Sequence, residues 1–96
     1  TSAGLVTVFD ENSLDDAMRL SAIIRKAGIE VVCYPTAAKL QKQFKFADRL
    51  GVRFVLIQGP DEKAQGMVSI KDLANTTQNT LPEKDLINSL KKLLSS

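Results

Sequence analysis

Histidine is absent from these 96 residues, and this is the most restrictive feature of the composition. Without it there is no Ser-His-Asp or Cys-His nucleophile pair and no zinc site of the usual ligand types. A single cysteine, Cys33, excludes an internal disulfide framework and is consistent with a reducing setting. No stretch approaches the roughly 18 consecutive apolar residues of a membrane-spanning helix, so no membrane partner is expected. Thr1-Ser2-Ala3-Gly4 lacks the charged-then-apolar pattern of a signal peptide. A large excess of one charge is missing too. Thirteen basic residues face eleven acidic ones for a net +2, which excludes a histone-like or strongly acidic protein but leaves room for a local patch. Phosphate-binding fingerprints are also absent. Gly28, Gly51, Gly59 and Gly66 fit neither G-x-G-x-x-G nor G-x-x-x-x-G-K-[ST], which argues against a dinucleotide or nucleoside triphosphate site. What is left favours binding over catalysis.

The residues present suffice for one domain, with 44% hydrophobic residues to fill its core. Leu5 to Phe9, Val31 to Tyr34 and Arg53 to Ile57 read as parallel strands, the first as a buried one. Between them, the spacing predicts a helix from about Leu14, opened by a Ser13–Asp16 capping box and closed by Gly28, and a second from Lys39 to Leu50 closed by Gly51. Right-handed crossovers then put the strands in the order second, first, third. Only Gln58 to Gly66 precede the next apolar run, too few for a crossover helix, so Met67 to Lys71 should return antiparallel. Thr77 to Leu81 reads as a weak fifth strand, and Pro82 opens a third helix carrying Leu86, Leu90, Leu93 and Leu94. The expected class is α/β: a five-stranded mixed sheet with helices on both sides.

Charge concentrates on the second helix. Thr36 to Arg53 holds five basic residues and one acid, a net +4 that leaves −2 for the rest of a chain whose total is +2. At about 100° per residue, Leu40, Phe44 and Ala47 gather on one face and Lys42, Lys45 and Arg49 on the other. A cationic strip of this kind meets phosphate backbones, because each neutralised phosphate releases counterions; a solvated helix face would look the same in sequence. Phe46 falls off the apolar face, placed either to pack under a loop or another domain or to stack on a base. Glu62, before the fourth strand, and Lys71, at its end, offer a carboxylate acceptor and an ammonium donor suited to unpaired bases. Asp10-Glu11 would suit magnesium in a receiver-like signalling domain, but Gln58 stands where such a site needs an aspartate. No catalytic or metal residues are assigned.

Lys39-Leu40-x-Lys42-Gln43-Phe44-Lys45-Phe46-Ala47-Asp48-Arg49-Leu50-Gly51, Phe54-Val55-Leu56-Ile57-x-Gly59, Gly66-x-Val68-x-Ile70-Lys71-Asp72-Leu73 and Gln78 closely resemble the C-terminal anticodon-binding domain of bacterial-type histidyl-tRNA synthetase. The resemblance covers essentially the whole chain. It implies a three-layer α/β/α fold with sheet order 2-1-3-4-5, strand 4 antiparallel and three helices. It implies that the domain grips the anticodon stem-loop of histidine tRNA. A class II catalytic domain, absent here, would charge that tRNA using ATP and magnesium, in a cytoplasmic homodimer; the domain itself would need no cofactor. The positions contacting bases in related synthetases fall on Lys39, Glu62 and Lys71, and the basic face adds Lys42, Gln43, Lys45 and Arg49 as RNA-binding candidates. Ala74-Asn75-Thr76-Thr77 departs from the pattern in lacking basic or glycine residues, which puts contacts from that turn in doubt. The missing initiator methionine and catalytic motifs lead us to expect a domain, residues 1–96, excised from a larger protein. The competing reading is a synthetase-like regulatory or protein-interaction domain that charges no tRNA, as in the histidyl-tRNA-synthetase-like regulatory subunit of a phosphoribosyltransferase.

Overall fold

Short apolar runs and one polar run, Thr77–Pro82, build the sheet of the computed structural model, which describes residues 2–95. The strands are β1 (Gly4–Val6), β2 (Val31–Cys33), β3 (Phe54–Ile57), β4 (Met67–Asp72) and β5 (Thr77–Pro82). They lie in the order β2-β1-β3-β4-β5. β1 is parallel to β2 and β3, while β4 runs antiparallel to both β3 and β5, as the short Gln58–Gly66 span requires. Leu5, Val6, Phe54, Val55 and Leu56 are fully buried at the centre. Gly4 is dictated by that packing, since a Cβ there would stand 2.3 Å from the ring of Phe54.

Among the described residues, four α-helices accompany the sheet: α1 (Leu14–Lys26), α2 (Leu40–Leu50), α3 (Pro60–Ala64) and α4 (Leu86–Leu94). Three were expected; the additional one, α3, occupies five residues and is too short to show a period. α1 buries Ala17, Leu20 and Ile24, and α4 buries Leu86 and Leu90, each large side chain stabilising by roughly 1.5–3 kcal/mol. Gly51 closes α2 at φ +71°, a left-handed conformation that a Cβ would strain. The capping box at the start of α1 lies one turn earlier than its sequence suggests. The Ser13 hydroxyl reaches back, accepting from the Asp10 N–H (2.9 Å) and donating to the Asp10 carbonyl (2.8 Å). Asp16 is thereby free to pair with Lys63 and Arg19, which hold its carboxyl below the usual aspartate value.

Crossovers of one hand in the order 2-1-3 place α1 and α2 on opposite faces of the sheet. α4 shares the face of α1: Ile70, Asp72, Thr77, Asn79 and Leu81 line a groove with its Ser89, Lys92 and Leu93. Glu83, just before α4, pairs with Arg19 of α1 at 2.9 Å. Two helices therefore cover one face. α2 covers the other, over the β2-β1-β3 half, and α3 meets β4 there through the Glu62–Ser69 hydrogen bond. Among the described residues no helix is long and apolar enough to cross a membrane.

The sheet's far end is locked by charge. Arg53 donates to both oxygens of Asp72 (2.9 and 3.3 Å), and Asp72 also accepts from the Ala74 and Asn75 backbone and the Asn75 amide. These donors, Arg53 foremost, hold the Asp72 carboxyl far below the usual carboxylate range. A depressed pKa means the unfolded chain binds the proton more readily, so this stabilisation is present above the unfolded value and lost as pH falls. Wild-type stability should therefore start to drop as pH passes below about 4, the ordinary aspartate value. Asp72→Asn should be less stable at pH 7 and show a flatter acid limb in urea denaturation. Parallel acid limbs for the two proteins would contradict this.

Candidate nucleic-acid interface

α2 carries the cationic row at helical spacing. Lys42, Lys45 and Arg49 are all exposed on its solvent side, as is Lys39 at its N-terminal cap. Among the described residues, none of the four takes part in an ion pair. Four cations held apart from acids keep their charge available to a polyanion.

Gln43 does not belong with them. Its side chain is fully buried, accepting from the Val8 N–H (2.8 Å) and donating to the Val8 and Ala38 carbonyls (both 2.8 Å). The physical reason is angular: Gln43 falls about 70° from the centre of the apolar face, on the sheet side of the helix. It is a clamp between the end of β1 and the entry to α2 and is withdrawn as an RNA-contacting candidate.

Glu62 and Lys71 meet the open half of the α2 face. The Glu62 carboxylate accepts from the Gly59 N–H (2.6 Å) and from the Ser69 hydroxyl (3.1 Å). Because the one Ser69 proton is given to Glu62, the Thr80 hydroxyl, 2.8 Å away, must donate to Ser69. This relay fixes the carboxylate by donors only, leaving its remaining lone pairs for a further donor. Lys71, two residues beyond Ser69 and on the same side of β4, places its Nζ 4.4 Å from the Phe44 ring centroid. Gln78 lies opposite Lys71 on β5 and is exposed.

The structure thus brings Glu62, Ser69, Lys71, Thr80 and Gln78 together beside α2. Lys42, Lys45 and Arg49 form a separate row on the solvent side of that helix, away from Phe44. Phe46 packs within this domain, edge-to-face with Tyr34 at 5.5 Å. The Ser69–Thr80 relay escaped the sequence reading. Its signal was there in the alternation of β4, where Ser69 and Lys71 share a face, but the partner strand's register is needed to see it. Among the described residues, no group of three or more acids and cysteines is placed to hold a metal.

An unpaired cationic row beside a polar strip of sheet that α2 leaves open suits a single-stranded nucleic acid. Residues 3–93 match the anticodon binding domain family, and the chain belongs to that family. Within it, the likeness is to the histidyl enzymes. The chain is 41% identical over 86 residues to the histidine–tRNA ligase of Xylella fastidiosa strain M23, and 37% to that of Xanthomonas campestris pv. campestris strain 8004. Both alignments cover 90% of this chain but 18% of the relative, so the chain spans less than a fifth of the length of these relatives. In structure it superposes on the histidyl-tRNA synthetase of Nostoc sp. PCC 7120 with TM-score 0.93 and 31% identity, covering 97% of this chain and 22% of that one. The RNA binding domain of threonyl-tRNA synthetase from Cryptosporidium parvum Iowa II shares the fold, with TM-score 0.86 at 18% identity over 96% of this chain and 23% of that one. These relatives are ligases, so a regulatory reading is not favoured.

Proposed function

We propose that this chain is the C-terminal anticodon-reading domain of a cytoplasmic, homodimeric histidine–tRNA ligase and grips the anticodon stem-loop of histidine tRNA. Charging with ATP and magnesium belongs to a class II catalytic domain of the same longer protein. In this reading Lys42, Lys45 and Arg49 neutralise phosphates, while Lys39, Glu62 and Lys71 face bases. The observation that carries it is the juxtaposition of a carboxylate locked by donors, Glu62 of α3, with an ammonium, Lys71 of β4, beside the unpaired cations of α2. An acceptor and a donor at fixed positions can distinguish base edges; a row of free cations supplies affinity without sequence preference.

Titration with the histidine tRNA anticodon stem-loop at a series of salt concentrations tests it. With about three to four phosphates contacted, log K should fall with log salt at a slope of roughly −2 to −3. A stem-loop with a scrambled anticodon should bind more weakly. Binding that ignores salt, or that treats the two loops alike, would refute the assignment.

A further inference from the structure

The chain has four phenylalanines and one tyrosine, and Phe9 is the one strongly exposed ring among them, at 42%. Tyr34 and Phe54 are buried, and Phe44 and Phe46 are half-buried. Two contacts fix where the Phe9 ring lies. On one side, Gln43 holds the preceding residue, Val8, through both its N–H and its carbonyl, and bonds to Ala38, which precedes Lys39. On the other, the ring lies against Gly59: a Cβ at that position would stand 3.3 Å from the ring and 2.8 Å from Oε1 of Glu62. The same Gly59 donates its N–H to Glu62. The ring therefore sits on the rim between the entry to α2 and the Glu62 carboxylate, and it packs that close because residue 59 has no side chain.

We propose that Phe9 is a stacking platform for an unpaired nucleobase whose edge is presented to Glu62. This rests on the RNA-binding reading above. An aromatic face accepts any base by π-stacking and needs only two side-chain torsions fixed to do so. Its surroundings favour a base over a protein partner. The other strongly exposed apolar side chains are Met18 and Ile23 on α1, Leu94 on α4, and Leu50 at the opposite end of α2. Phe9 is thus set apart from any continuous apolar patch, and it shares its approach to Gly59 with the Glu62 carboxylate.

The test uses stem-loops carrying 2-aminopurine at each unpaired loop position in turn. Wild type should quench the probe strongly at one position. Phe9→Leu keeps an apolar side chain but should lower affinity roughly 5- to 150-fold and abolish that quench, while Phe9→Trp should retain both. The chain has no other tryptophan, so the Phe9→Trp variant also reports on its own ring: its emission should be quenched by the unlabelled stem-loop, whatever the folding of Phe9→Leu. If wild type binds with the expected salt slope but Phe9→Leu matches it in affinity and quench, or the Phe9→Trp emission ignores RNA, the platform is refuted and the RNA reading stands. If wild type does not bind the stem-loop, both fall.

Discussion

Replacing Gln43 with alanine will destabilise the fold by about 3 kcal/mol or more, although the residue belongs to a helix that otherwise displays cations to solvent. The truncation strands a buried N–H and a buried carbonyl of Val8, and each buried group left without a partner costs about 1–3 kcal/mol. It also opens a cavity beneath α2, at a residue that is fully buried. For a domain of this size the loss corresponds to a fall of roughly 12–24 °C or more in the thermal midpoint. Calorimetry or urea denaturation reads it directly. A midpoint within about 2 °C of wild type would mean that water replaces the clamp at little cost, and the account of Gln43 as the tie between β1 and α2 would fail.

The second large effect falls on binding and should leave stability alone. Lys42, Lys45 and Arg49 are exposed, so changing all three to glutamine should alter unfolding by no more than about 0.5 kcal/mol per site. Each phosphate contact on a single strand contributes about 0.7 to the salt slope. Removing three should bring the slope to about −0.7 or shallower and weaken binding of the stem-loop roughly 100-fold or more at about 50 mM salt. An unchanged slope would put the phosphate contacts on another surface. The two variants together separate the two expected roles of α2: one side to hold the fold, the other to meet the ligand.

Most of the architecture was legible because local signals agree with one another. Gly28, Pro35, Gly51 and Gly59-Pro60 punctuate the chain at each change of element, and β-branched runs between them leave little choice but a parallel sheet. The antiparallel return of β4 follows from chain length alone. α3 was hidden because five residues carry no period, and it explains how Glu62 can cap Gly59 and bond Ser69 at once. Gln43 was misplaced because a polar residue on a helix otherwise rich in lysine reads as surface. Its wheel position pointed inward, but the partner that satisfies it is the backbone of Val8, 35 residues away. In sequence Phe9 reads as the last residue of a buried strand, yet regular pairing in β1 ends at Val6, and only the tertiary arrangement shows the ring outside. The cationic row survived intact because charge at helical spacing needs no partner to be recognised.

One long helix on one side and two on the other make this sandwich incomplete over β4 and β5, on the side of Lys71 and Gln78. A loop of RNA lying there would stand in for the absent third slice, resting on backbone already paired and rigid. Evolution could then redraw the amino acids that touch the guest without rebuilding the interior, since Gln78 and Thr80 are exposed and Lys71 is half-buried at the border of the core. A scaffold with one unfinished side can keep its shape while changing what it reads.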